Sequence, residues 1–254
     1  MHKFIIANWK SNKSLSKVST WFQEFRQKIT ELGSKQGNLQ EIVLEKNQTI
    51  IAPAYPLLKV ASQFINKNNL DIKLSTQDLS HMPPGAYTGA VCVENLQELN
   101  INYSIVGHSE RRRHFQETDQ DVAKKVEQAI QGEITPILCI DEPYLASQLN
   151  ALKENFDSEN SEQANLDQVL QKLIIAYEPI NAISTEPGAK NADTSKISKV
   201  FAQIKKVYGD LPVIYGGSVN ETNVNDYLAI ADGVLVGGAS LDGKQFAQLV
   251  INAA

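Results

Sequence analysis

Eight short apolar runs punctuate the chain: Phe4–Ala7, Thr49–Ala52, Ile72–Ser75, Tyr103–Val106, Thr135–Ile140, Leu173–Tyr177, Val213–Tyr215 and Gly233–Val236. They are rich in Val, Ile and Leu and do not alternate strictly with polar residues, the pattern of parallel strands covered on both faces. Between them the apolar spacing becomes helical. Residues 15–32 carry Val18, Trp21, Phe22, Phe25 and Ile29 at i, i+3, i+4, i+7 spacing, and residues 119–131 carry Val122, Val126 and Ile130. Ile197, Val200, Phe201 and Ile204 mark a further helix with Asp193 or Thr194 as its cap, and Asn220 is placed to cap a short helix running through Ala229. Strand then helix, eight times over, predicts an α/β fold: a single (β/α)8 barrel domain over residues 1–254, with its functional groups gathered at one rim. Three stretches interrupt the alternation. Gly33–Asn47 reads as a helix extension plus a surface loop, Ser80–Gly89 as a Pro/Gly loop after the third strand, and Asn155–Asp167 as a polar, poorly ordered segment. None of them separates two cores.

The strand ends carry the chemistry. The first run is followed by Asn8-Trp9-Lys10, the fourth by Gly107-His108-Ser109-Glu110 and the sixth by Glu178-Pro179. The seventh leads into Gly216-Gly217-Ser218 and the eighth into Gly237-Gly238. A carboxylate at the tip of a buried strand is partly dehydrated, which would raise the pKa of Glu178 toward that of a general base. A neutral His108 donates a hydrogen bond to a substrate oxygen, and the Lys10 ammonium suits a phosphate or a developing enolate. Taken singly, each has a plainer reading as a surface acid, a structural histidine or a surface lysine. Glycines let backbone N–H groups approach an anion closely, and two such clusters at consecutive strand ends point to a phosphate site rather than to tight turns. The set describes proton transfer on a small phosphorylated molecule.

Composition narrows the partners. The net charge of −5 offers no basic surface for nucleic acid. Cys92 and Cys139 have neither C-x-x-C spacing nor a nearby His, so neither a disulfide nor a zinc site is expected. No apolar run approaches the ~20 residues of a membrane helix, and the N-terminal residues lack a signal-peptide core. A soluble cytoplasmic protein is expected.

Six segments, spread in order along the chain, resemble the triosephosphate isomerase family. They are Asn8-Trp9-Lys10, Gly85–Gly89, Val106–Arg112, Ala176–Pro179, Tyr215–Val219 and Leu235–Leu241. The resemblance implies a TIM barrel that interconverts dihydroxyacetone phosphate and glyceraldehyde 3-phosphate in glycolysis and gluconeogenesis, without metal or organic cofactor. It implies Glu178 as the base that moves the proton between neighbouring carbons and a neutral His108 as the group polarising the carbonyl. Lys10, positioned by Asn8 and held by Glu110, would stabilise the enediolate. Ser218, Gly237 and Gly238 would grip the phosphate, joined by the Ser184 backbone N–H when a loop closes. Cys139 would pack behind the base, and Arg111 and Glu117 would be interior or interface charges. A homodimer is implied, with the Ser80–Gly89 loop inserted into the neighbour and Thr88 reaching its site.

The chain departs from the family pattern after the sixth strand. Asn181 stands where a Trp is usual, Ser184-Thr185-Glu186 replaces Gly-x-Gly at the loop tip, and Pro187-Gly188-Ala189 forms the far hinge. Impaired closure over the substrate is expected. Ala90 replaces a usual Glu, removing an intersubunit contact with Arg111, and Asp141 replaces a usual Gly. An active isomerase is the leading reading. A barrel that binds small phosphates but catalyses poorly, serving as a binding or interaction protein, is the alternative. A lyase or epimerase ranks last, since no lysine lies mid-strand and the chain has only four histidines.

Overall fold

The computed structural model describes residues 2–36, 47–156, 165–179 and 193–254. Eight parallel strands close on themselves in sequence order: β1 (Lys3–Asn8), β2 (Asn47–Ala52), β3 (Lys73–Thr76), β4 (Ile101–Val106), β5 (Thr135–Ile140), β6 (Ile174–Tyr177), β7 (Val213–Tyr215) and β8 (Gly233–Val236). Closure is made where Phe4 of β1 meets Gly233 of β8, leaving the sheet no free edge. Each predicted strand is present, three with the expected ends and the others within two residues.

The described residues form nine α-helices: α1 (Leu15–Gln36), α2 (Tyr55–Lys67), α3 (Ser109–Phe115), α4 (Asp119–Gln131), α5 (Leu145–Phe156), α6 (Leu166–Leu170), α7 (Thr194–Tyr208), α8 (Val224–Leu228) and α9 (Gly243–Asn252). The stripe on α1 is buried throughout, from Val18 to Ile29. Trp21 stacks on Phe25 with ring centroids 5.3 Å apart, and its indole N–H donates to Ser240 O at 2.9 Å. Such a ring contributes area and a satisfied donor together. Helix α4 starts at a capping box in which the Thr118 and Asp121 side chains each accept from the other's backbone N–H. Helix α7 is capped by Asp193, whose Oδ1 accepts from Ser195 N at 2.9 Å.

Two sequence expectations are corrected. Asn220 does not cap α8: its Oδ1 accepts from Thr222 N and Asn223 N, folding a turn ahead of that helix. A short polar side chain competes well for nearby backbone N–H groups, so it stops the chain one turn earlier. The span 155–167 is not wholly irregular either, since α5 reaches Phe156 and α6 begins at Leu166 with Asn165 as its cap. The predicted helix extension beyond residue 32 is present as far as Gln36; most of the loop after it lies outside the described residues.

Two layers of core position the site. Inside the barrel lie Ile6, Ile50, Ile105, Ile137, Cys139, Ala176, Ile214 and Leu235; the larger cluster fills the space between sheet and helices. Strand residues alternate between the two layers, and the residues just past the ends of β1, β4 and β6 deliver Lys10, His108 and Glu178 to one rim. Among the described residues, no helix is long and apolar enough to cross a membrane.

Candidate active site

Asn8, Lys10, His108, Glu178, Gly216 and Gly237 line one cleft at the C-terminal rim. Lys10 adopts a left-handed backbone, φ +51°, which costs a non-glycine residue about 1 kcal/mol or more. Its surroundings hold it there. Lys10 N donates to Asn8 Oδ1 at 3.1 Å, and Gln77 Nε2 donates to both Lys10 O (3.0 Å) and Ala52 O (2.8 Å). Lys10 Nζ is paired with Glu110 Oε1 at 2.6 Å. Gln77 is a positioning group that the sequence did not single out; its sole signal there is its place one residue past β3.

Gly107, at φ +70°, turns the chain after β4. A Cβ there would lie 3.1 Å from Arg112 Nη2 and 3.3 Å from Cys139 O, so both conformation and space call for glycine. The turn delivers His108 as the N-cap of α3, where its Nδ1 accepts from Glu110 N at 3.2 Å. That bond leaves the ring's proton on Nε2, which faces Glu178 Oε1 at 3.0 Å. Glu178 Oε2 accepts a second bond from Ser109 N at 3.2 Å. Both side chains are deeply buried, His108 at 5% and Glu178 at 4% exposure.

The electrostatics follow from that contact. Burial pushes Glu178 up, as expected from its strand-tip position, but His108 and the Ser109 N–H outweigh it and hold the carboxyl below its ordinary range. The expected upward shift is therefore reversed in this arrangement. Burial pushes His108 down, and Glu178, with help from Glu110, outweighs that and raises it. Burial and the neighbouring Glu178 carboxylate push Cys139 well up, so its thiol stays protonated and serves packing.

Gly216 follows β7 and packs against the base: a Cβ there would lie 2.9 Å from Glu178 Cγ. Tyr215 pairs with Val234, so the β7 and β8 ends bring Gly216-Gly217-Ser218 beside Gly237-Gly238. A 3₁₀ turn over Gly238–Ser240 begins at that point, and Asn223 Nδ2 holds Ser218 O at 3.0 Å. The first N–H groups of such a turn have no partner within it and suit an anion. Ser184 and the substituted positions Asn181, Glu186 and Pro187 lie outside the described residues.

Arg111 and Glu117 lie beside the cleft as interior charges. Arg111 pairs with Asp78 (2.9 Å) and Glu117 (3.1 Å), while Lys125 pairs with Asp78 at 2.6 Å and also contacts Glu117. This four-residue cluster adjoins the Ser80–Gly89 loop, in which Tyr87 is exposed. Among the described residues no group of His, Cys, Asp and Glu has the geometry of a metal site.

The triosephosphate isomerase family model matches residues 3–253. The triosephosphate isomerase of Mesomycoplasma hyorhinis is 38% identical over 252 residues, covering 97% of this chain and 96% of that protein. The one from Mesomycoplasma hyopneumoniae strain 7448 is 37% identical over 256 residues, covering 99% and 100%. The crystal structure of triosephosphate isomerase from Bartonella henselae superposes with a TM-score of 0.71 over 98% of both chains at 24% identity, a likeness of fold. The chain belongs to the triosephosphate isomerase family, and is an enzyme of the aldose–ketose isomerase class.

Proposed function

We propose that the enzyme interconverts dihydroxyacetone phosphate and D-glyceraldehyde 3-phosphate through an enediolate, with Glu178 moving the proton. The observation that carries this reading is the meeting of Glu178 Oε1 and His108 Nε2 at 3.0 Å, with the Lys10–Glu110 pair at the same rim. An entering substrate takes up both bonding groups. Its carbonyl oxygen receives the His108 Nε2–H, and the Glu178 carboxylate, released from His108, takes the proton from the adjacent carbon and returns it to its neighbour. Release also removes the contact that keeps the carboxyl acidic, so Glu178 becomes a stronger base when substrate is bound. Release of Glu178 also removes the contact that raised His108, and the backbone N–H donated to Nδ1 then favours the neutral imidazole, which can give and retake one proton. Lys10 stabilises the negative oxygen, and Ser218, Gly237, Gly238 and Ser184 hold the phosphate. No step calls for a metal or organic cofactor.

A homodimer accompanies this reading, with the Ser80–Gly89 loop and its Thr88 reaching the neighbour's site. The hollow next to Lys10, lined by Ser11, Tyr55, Glu110 and Phe115, offers room for such an insertion. Exposed Tyr87 and Phe115 are the apolar surface it would cover. A cytoplasmic location fits a metabolic enzyme of this kind.

The test is a coupled assay of glyceraldehyde 3-phosphate isomerisation with the wild type beside Glu178→Gln. A wild-type rate lost by at least about a thousandfold in the variant supports the reading. Equal rates remove Glu178 from the reaction, and no rate in either protein leaves a barrel that binds phosphates without turning them over.

A further inference from the structure

The residue after β5, Asp141, is a buried carboxylate that the reaction described above does not use. The β5–β6 register pairs Cys139 with Ala176 and Ile140 with Tyr177, and Glu178 N donates to Ile140 O at 2.9 Å. The next residues along the two strands are Asp141 and Glu178, so their backbones stand side by side at the rim. Both are almost wholly buried, at 5% and 4% exposure. Their surroundings differ. Glu178 accepts from His108 and Ser109, whereas Asp141 Oδ1 meets no hydrogen-bond donor among the described residues.

Among the described residues, no cation pairs with the Asp141 carboxylate. Arg112, on α3, acts on it only at a distance, because its guanidinium is committed elsewhere. Arg112 donates to Asp119 Oδ1 (2.6 Å), Gln148 Oε1 (2.6 Å) and Gly107 O (2.9 Å), and lies over the Tyr144 ring. The remaining titratable groups around Asp141 are Cys139 on β5, Glu142 and Tyr144 in the following turn, and Tyr177 and Glu178 from β6. Tyr177 is engaged, donating from its hydroxyl to Glu142 Oε1 at 2.6 Å. Burial, with Glu142 and Glu178 adding to it, pushes the Asp141 carboxyl above its ordinary range against the pull of Arg112 and of a hydrogen bond from the Tyr144 backbone N–H. A buried carboxylate with an unpaired oxygen destabilises the fold, and such groups concentrate where function requires them.

We propose that Asp141 is a positioning residue for the proton transfer: its negative charge acts through Glu178, opposing the negative charge there and making Glu178 a stronger base. The inference rests on the reading of Glu178 as the base. Two carboxylates in adjacent strand-end positions repel most strongly when the intervening medium is dry, as it becomes once substrate fills the cleft. Asp141 then adds to the effect of losing the His108 contact, and both drive the proton from substrate to Glu178.

The test is the pH dependence of kcat, which reports the substrate-bound enzyme, for wild type, Asp141→Asn and Asp141→Gly in the full-length enzyme. Both variants delete the charge, and Asn keeps the shape. The expected result is an acid limb displaced to lower pH by about half a unit or more, by similar amounts in both. With it, kcat near neutral pH falls severalfold and KM is little changed. An acid limb that stays in place in Asp141→Asn overturns the proposal, whatever happens to kcat, because packing alone would then explain the residue. A displacement in Asp141→Gly only overturns it as well. Glu178→Gln separates the two readings: an active Glu178→Gln removes the base itself, while an inactive one beside an unmoved acid limb removes only the role of Asp141.

Discussion

Gly216→Ala acts most directly on the position of the base. The added Cβ would stand 2.9 Å from Glu178 Cγ, with its next neighbours, Tyr177 O at 3.4 Å and Glu178 Oε1 at 3.5 Å, at ordinary contact distance. Gly216 does not sit in left-handed backbone, so alanine adds no strain of its own. Glu178 must retreat by roughly half an ångström, and its carboxylate swings away from His108 Nε2 and from the substrate carbon. A misplacement of ~1 Å can cost about a hundredfold in rate, so kcat is expected to fall by about ten- to a hundredfold, or ~1.4 to 2.7 kcal/mol. The assay is steady-state isomerisation beside a thermal melt, and the melting temperature is expected to move little. Gly217→Ala is the comparison: its Cβ would meet the buried Tyr215 hydroxyl, so its effect should appear first in the melting temperature. A Gly216→Ala enzyme within twofold of wild-type kcat refutes the claim that the observed Glu178 position is the one that matters.

Lys125→Met removes the buried ammonium between Asp78 and Glu117 and leaves two carboxylates sharing Arg111 alone; unfolding by urea should show a loss of about 3–5 kcal/mol. The His108–Glu178 pair stabilises the fold within a pH window set by both shifts. Its Glu178 share is present above the ordinary carboxylate pKa and lost as pH falls through the lowered folded value, and its His108 share is present below the ordinary imidazole pKa and lost as pH rises through the raised folded value. Melting temperature against pH should therefore lose curvature on both flanks in Glu178→Gln, and identical profiles would show the pair to be thermodynamically idle.

The strands were legible because a barrel covered on both faces tolerates only apolar runs, as in Thr135–Ile140 and Val213–Tyr215. The main site groups were legible because chain order and strand ends alone bring Lys10, His108 and Glu178 to one rim. The α1 stripe is a local pattern, readable within a turn or two. Partner choice was legible only for Lys10, whose pairing with Asn8 and Glu110 came from the family resemblance. Gln77 reaches Lys10 across 67 positions, and Asp78, Arg111, Glu117 and Lys125 pair only because the closing sheet and its helices bring their elements together. Nor did the sequence foresee the electrostatic state of Glu178. Its burial follows from its strand-tip position, while the His108 proton that reverses the effect is oriented by a helix N-terminus formed only after Gly107 turns the chain. Apolar spacing determined the elements and their order because burial acts on each residue by type. Hydrogen bonds and ion pairs depend on distance and direction between residues far apart in the chain, so the tertiary structure alone decided which of these groups meet and what charge they carry.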